Sequence, residues 1–270
     1  MLAACKSGGG ARLLHESESQ FGHLVVREES PGIRTLQFEH GGAIQSRVNL
    51  EDPMDLRLVY TRATMLALAV KPKPRRVLVL GLGGGAMPRF FYRALPEAQI
   101  DVLELDPAVV KLAKQYFELP EDPRINVRVG DGRKSIQDAK GGWDLVVLDA
   151  YSADDIPRHL ATAEFLGEVK AKLAPGAVVA GNVWSRDHNG LYDSMAKTWA
   201  DTFSSLCIVT IEASANRIFL AASDPAVDVS ANGVRVAAAK LEAFPAVKEY
   251  APAECSRDGW ETAEPLRDLR

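Results

Sequence analysis

Residues 77–85 read Val-Leu-Val-Leu-Gly-Leu-Gly-Gly-Gly, an apolar run that passes directly into four glycines in five positions. A run without polar alternation is what a central parallel strand needs, because helices cover both of its faces. Glycines placed directly after such a strand permit positive φ and let a ligand approach the backbone. The helix expected next, near residues 86–95 with Pro88 in its first turn, aims unpaired N–H groups and positive potential at that turn. A tight strand-to-helix turn alone does not need so many glycines. The order strand, glycine loop, helix is the context a nucleotide-binding fold requires.

The rest of the chain repeats the alternation. Residues 100–105 read as the second strand, followed by Asp106 as N-cap and Pro107 as first helical residue. That helix reaches Phe117, with Val109, Ala113, Tyr116 and Phe117 on one face. Ile125, Val127 and Val129 alternate with polar residues as a more exposed strand. Leu145–Leu148 is another buried run that ends in Asp149. A helix near 163–173 presents Phe165, Leu166, Val169 and Leu173, and Leu173-Ala174-Pro175-Gly176 turns into a strand at 177–183. Leu191, Met195, Trp199 and Phe203 recur at helical spacing. Residues 206–211 and 217–222 read as a hairpin joined around Ala213–Asn216, followed by a helix near 234–244 and a charged tail. Ahead of the alternation, 22–28, 33–39 and 43–48 read as short strands, with His40-Gly41-Gly42 as a turn. A helix is predicted from Asp52-Pro53 to Val70, and Lys71-Pro72-Lys73-Pro74 ends it. The expected fold class is α/β: a Rossmann-like, doubly wound, mostly parallel sheet with a C-terminal antiparallel hairpin strand, preceded by a small N-terminal β-meander. The units are 13–70 (meander plus helix), 75–223 (nucleoside-binding domain) and 224–270 (C-terminal helix and tail).

Composition narrows the function. The chain has 270 residues, with 32 basic against 36 acidic side chains, and lacks the strongly basic footprint of a nucleic-acid binder. No apolar run approaches the roughly 18 residues that span a bilayer. Three cysteines, Cys5, Cys207 and Cys255, lie far apart and are odd in number, so neither a disulfide framework nor a zinc site is expected and a reducing compartment is the default. The histidines form no H-x-x-x-H pair, and no metal is expected. Leu2-Ala3-Ala4-Cys5 followed by Ser7-Gly8-Gly9-Gly10 is similar to the end of a lipoprotein signal, without its charged and apolar regions.

In an open α/β sheet, ligands bind beyond the carboxyl ends of the strands. The residues at those ends are therefore the candidates. Glu104 closes the second strand, about 20 positions after the glycine turn, where an acidic side chain accepts hydrogen bonds from ribose hydroxyls. Asp106 caps the following helix. Gly130-Asp131-Gly132 follows the third strand, where a carboxylate can accept from an exocyclic adenine amine and Gly132 admits the ring. Asp149 leaves an apolar strand at the mouth of the cleft, with Tyr151, Ser152, Asp154 and Asp155 close behind, and can act as a base or hold an ammonium group. His159 and His188 fall on loops near the same end and read as solvated. Trp143, Trp184 and Trp199 read as core or cleft walls.

Taken together, Val77–Gly85, Glu104-Leu105-Asp106, Gly130-Asp131-Gly132 and Asp149 resemble the motif series of class I S-adenosylmethionine-dependent transferases. The chain is most similar to the spermidine synthase-like aminopropyltransferases, through the meander with Leu36–Gln45 and the helix bearing Tyr60. The resemblance implies transfer of an aminopropyl group from decarboxylated S-adenosylmethionine to an amine or polyamine, with Asp149 as base. It implies that Glu104 binds ribose, Asp131 and Gly132 the adenine, and Gly81, Gly83, Gly84 and Gly85 the methionine-derived moiety. Gln45 would touch the donor, and Tyr60 the amine or the base. Ser152 stands where the family places a second Asp, with Asp154 and Asp155 displaced beyond it as acceptor-site candidates. Tyr60-Thr61-Arg62 and Ala213-Ser214-Ala215-Asn216 depart from the family as well, so an altered acceptor site is expected. Two alternatives stay open: a methyltransferase using intact S-adenosylmethionine, and a catalytically weak nucleoside-binding protein. A cytoplasmic enzyme and a homodimer through the N-terminal meander complete the expectation, with a tethered lipoprotein as the alternative location.

Overall fold

The computed structural model describes residues 11–39, 41–150, 156–212, 214–242, 244–256 and 259–269. Expectations for residues 1–10, His40, Ala213 and the segment 151–155 with Tyr151, Ser152, Asp154 and Asp155 lie outside the described residues.

The N-terminal unit is an antiparallel sheet of four strands in chain order: β1 (Arg12–Ser19), β2 (Gly22–Ser30), β3 (Ile33–Gln37) and β4 (Ile44–Asn49). Three strands were expected, and β1 is the addition. Its sequence, Arg-Leu-Leu-His-Glu-Ser-Glu-Ser, lies half exposed along β2 and carries little of the apolar alternation that marks a strand. Leu24, Val26, Leu36 and Val48 bury the inner face.

The helix predicted from Asp52 is shorter than expected. The Asn49 side-chain carbonyl accepts from the amides of Glu51 and Asp52, and the Asp52 carboxylate accepts from the amide of Met54. These turn bonds compete with helix for the same backbone groups. Leu56 instead bridges to Val48. Helix begins only at α1 (Val59–Thr64) and resumes as α2 (Leu66–Val70) after Met65.

The main sheet has seven strands in the order β10-β11-β9-β8-β5-β6-β7. They are β5 (Arg76–Leu80), β6 (Gln99–Glu104), β7 (Ile125–Val129), β8 (Trp143–Leu148), β9 (Leu173–Trp184), β10 (Ser205–Thr210) and β11 (Asn216–Ala222). Strands β7, β6, β5, β8 and β9 run parallel, and the terminal hairpin adds two antiparallel strands, β11 beside β9 and β10 at the edge. The connecting helices are α3 (Ala86–Ala94), α4 (Pro107–Tyr116), α5 (Gly132–Asp138), α6 (Ala163–Ala171) and α7 (Tyr192–Thr202), with α8 (Ala231–Lys240) after the hairpin. Strand β5 shows why its sequence is apolar throughout. Val77 and Val79 pack into the core with Leu66, Phe90 and Phe117, while Leu78 and Leu80 enter the opposite core with Val146, Phe165 and Trp199.

Helix α5 was not anticipated, since among its seven residues Ile136 is the one buried apolar side chain. Leu173–Gly176, read as a turn, belongs to β9 across a register shift against β8. Helix α8 starts at the Ser230 cap, earlier than predicted, and ends at Lys240. Trp143 and Trp199 are core residues, as read. The cysteine expectation is corrected: Cys207 of β10 is disulfide-bonded to Cys255, 48 positions away. The C-terminal extension folds back over the sheet edge, where the Ser256 amide also donates to the Ile208 carbonyl at 2.9 Å. Spacing along the chain carries no trace of that approach. Among the described residues no helix is long and apolar enough to cross a membrane.

Candidate active site

The parallel ladder runs one residue past the strand ends and so fixes the groups beyond them. The Gly81 amide donates to Leu103, the Asp149 amide to Leu80 and the Gly130 amide to Glu104. Asp149, Gly81, Glu104 and Gly130 thus stand in one row along the carboxyl edge, beside the point between β5 and β8 where the strand order reverses. Gly81 is required there. Its φ is +98°, and a Cβ would lie 2.2 Å from the Asp149 carbonyl oxygen. The loop is narrow because the first and fourth parallel strand tips nearly touch.

Above this row lies a cleft of about 680 Å³. Its floor includes Gly81, Gly83, Glu104, Asp131, Gly132 and Asp149, and its walls include Tyr60, Trp184 and His188. The N-terminal sheet closes one side with Phe21, Leu24, Phe38, Ile44 and Gln45. The meander therefore belongs to the cleft. Gly84 and Gly85 are not among the lining residues. A Cβ at Gly84 would press on Phe117 and Ser46, and one at Gly85 on Leu119, so their smallness serves packing.

Four carboxylates occupy distinct surroundings. Glu104 accepts from the amides of Leu82 and Asp106, each at 2.9–3.0 Å, and burial pushes its carboxyl above the ordinary range despite those bonds. Asp106 caps α4 by accepting from the Ala108 amide at 2.8 Å, as read from the sequence. Asp131 caps α5 through the Lys134 amide and pairs with His159 at 2.9 Å. Burial opposes its ionisation, but the Lys134 amide and His159 hold its carboxyl below the usual value. His159, read as solvated, thus stands beside the candidate adenine carboxylate.

Asp149 is strongly perturbed as well. Burial pushes its carboxyl up to about 7, against the stabilising bonds donated by Asn182 and Tyr60. The Tyr60 hydroxyl donates to Oδ2 at 3.1 Å, and the Asn182 amide donates to Oδ1 at 2.8 Å. Tyr60 and Asp149 are 89 positions apart, and the fold brings them together as the resemblance implied. Asn182 and its neighbour Asn216 were missed. Asn182 is a polar residue 4% exposed within an otherwise apolar strand, Val178–Val183, and a buried amide in such a run is the signal that was available.

A cleft at the carboxyl edge of a sheet in this strand order, with a buried carboxylate at its floor, is the arrangement of the methyltransferase fold. Comparison with known proteins gives the particular family. Residues 59–212 match the model of the spermine/spermidine synthase domain. The polyamine aminopropyltransferase of Vibrio vulnificus is 35% identical over 220 residues, which are 78% of this chain and 72% of that one. A probable spermidine synthase from Corynebacterium glutamicum superposes with a TM-score of 0.71 over 90% of this chain and 95% of that one, at 19% identity. Human methyltransferase-like protein 13, solved in complex with SAH, superposes with a TM-score of 0.58 at 26% identity, over 75% of this chain and 95% of that one. The chain belongs to the spermine/spermidine synthase family.

Proposed function

We propose that this enzyme transfers the aminopropyl group of decarboxylated S-adenosylmethionine to an amine. The observation that carries the reading is Asp149, a buried carboxylate poised near neutrality at the junction of the donor floor and the Tyr60 wall. An alkylammonium acceptor has no lone pair, and its ordinary pKa is about 10.4. A carboxylate of ordinary pKa 3.8 would be a poor partner for that proton. Raising it to about 7 removes roughly half of the mismatch. Asp149 takes the proton, and the freed nitrogen lone pair attacks the carbon next to the sulfonium. The carbon–sulfur bond breaks, its electron pair returns to sulfur, and the products are methylthioadenosine and the lengthened amine.

In this reading Gly81 and Gly83 border the methionine-derived chain, Glu104 holds the ribose and Asp131 with Gly132 the adenine. Gln45 meets the donor from the N-terminal sheet. Ser152, Asp154 and Asp155 remain acceptor-side proposals. A homodimer through the N-terminal sheet is part of the same reading, and sedimentation tests it.

The decisive experiment incubates the protein with each donor and a mixed amine panel and reads products by mass. Methylthioadenosine with an amine heavier by one aminopropyl unit supports the reading. S-adenosylhomocysteine with a methylated product replaces it with methyl transfer, the second reading, which the likeness to methyltransferase-like protein 13 favours. The compartment also has two readings. The cytoplasm, where the donor is made, is one. An oxidising compartment is favoured by the Cys207–Cys255 bridge, and alkylation of the two thiols in freshly lysed cells decides between them.

A further inference from the structure

Behind Asp149 lies a chain of hydrogen bonds that runs in one direction, from the Asn216 backbone amide to the carboxylate. The Asn216 amide N–H, which can only donate, gives its hydrogen to Ser214 Oγ at 3.2 Å. The Ser214 hydroxyl has one hydrogen to give, and it donates it to Asn216 Oδ1 at 3.0 Å. That fixes the Asn216 side-chain amide with its NH2 end turned to Asn182, where Nδ2 donates to Asn182 Oδ1 at 2.9 Å. Asn182 in turn has only its own NH2 end to offer Asp149. The strands make this possible: Asn182 on β9 and Asn216 at the start of β11 are close neighbours across the antiparallel pair, in which Trp184 faces Asn216.

We propose that Asn182 and Asn216 are positioning residues for the Asp149 carboxylate. Asn216 determines which end of the Asn182 amide faces Asp149, and so keeps a donor rather than an acceptor against it. The alternative orientation would set the Asn182 carbonyl against a carboxylate oxygen. Two acceptors in contact are tolerated only when one carries a proton, and a protonated Asp149 cannot serve as base. The proposal rests on the reading of Asp149 as the base. Among the described residues, the other titratable groups lining the same cleft are Tyr60 from α1, Glu104 and Asp106 after β6, Asp131 after β7, His159, and His188 between β9 and α7.

The test follows the Asp149 carboxyl directly by carbon NMR of protein labelled at its aspartates, with the resonance assigned by its loss in Asp149→Asn. Wild type, Asn182→Ala and Asn216→Ala are titrated without donor or acceptor. Asn182→Ala is expected to move the Asp149 midpoint upward by about one pH unit, the scale of one hydrogen bond to a charged group. Asn216→Ala, which removes no hydrogen bond made directly to Asp149, is expected to move it in the same direction by a smaller amount. The acid limb of kcat/KM should follow both. A merely structural role would lower thermal stability and leave the midpoint in place, and an unmoved midpoint in Asn216→Ala overturns the relay. Should Asn182→Ala fail to fold, the half-buried Asn216 and a Ser214→Ala variant carry the same test. A shifted midpoint in a protein that turns over no donor leaves the relay standing and removes the aminopropyl reading. Turnover with an unmoved midpoint does the reverse.

Discussion

Replacing Asp149 by Asn should abolish turnover and stabilise the protein, by an amount that grows with pH. The carboxyl has an ordinary value of 3.8 and is raised by burial to about 7 in the folded chain. Its proton is therefore held more tightly folded than unfolded. The stability this provides is complete below 3.8 and is lost as pH rises towards 7, at about 1.4 kcal/mol per unit. The neutral Asn side chain titrates nowhere in this range and escapes the loss. The advantage of the variant is then about 2 kcal/mol at pH 5 and about 4 kcal/mol at pH 8. Urea unfolding of both proteins at the two pH values, with the disulfide intact, measures the difference. A gap that stays constant or narrows from pH 5 to pH 8 refutes the raised carboxyl. Retention of full activity by the variant at neutral pH refutes its role as base.

Other perturbations separate the parts of the site. Glu104→Ala should weaken nucleoside binding at least tenfold in calorimetry while the thermal midpoint holds or rises, because an unfavourably buried carboxylate is removed; unchanged donor affinity would refute the ribose role. Gly81→Ala should lower stability and activity together, since the new methyl group meets the Asp149 carbonyl at 2.2 Å on a backbone with φ +98°; a fully active, stable variant would show that the strand tips are looser than described. Cys255→Ser should cost about 4 kcal/mol on the chain-entropy account of a 48-residue loop, read as a lower urea midpoint that reductant reproduces in the wild type.

What the sequence disclosed follows a physical boundary. Strands β5 and β8 are legible because burial on both faces requires apolar residues at successive positions, and the helices beside them have a core-facing stripe. Elements held mainly by polar bonds were not legible. Strand β1 is fixed by its ladder to β2 with little apolar patterning, and α5 is fixed by the Asp131 cap and the single anchor Ile136. The segment after β4 misled for a related reason: Asp52-Pro53 matches a helix start, but Asn49 and Asp52 had already engaged the local amides.

The site divides along the same line. Glu104, Asp131 and Asp149 could be found because the strand ends are visible in sequence and the topology puts those ends together. Asp149 and Tyr60 meet through the packing of α1 over the sheet edge, which only a family resemblance could anticipate. Asn182 and Asn216 needed more than an edge: their contact depends on the antiparallel register of β9 with β11, and a slip of one residue would turn Asn182 to the opposite face. The register is held by the apolar neighbours Ala180, Val183, Ile218 and Leu220, which are buried to 1% exposure or less. Hydrophobic packing at the sheet's antiparallel flank thus fixes the orientation of a polar chain that ends on the Asp149 carboxylate. The same low-dielectric surroundings that make Asp149 costly to ionise make each of its remaining hydrogen bonds count for more.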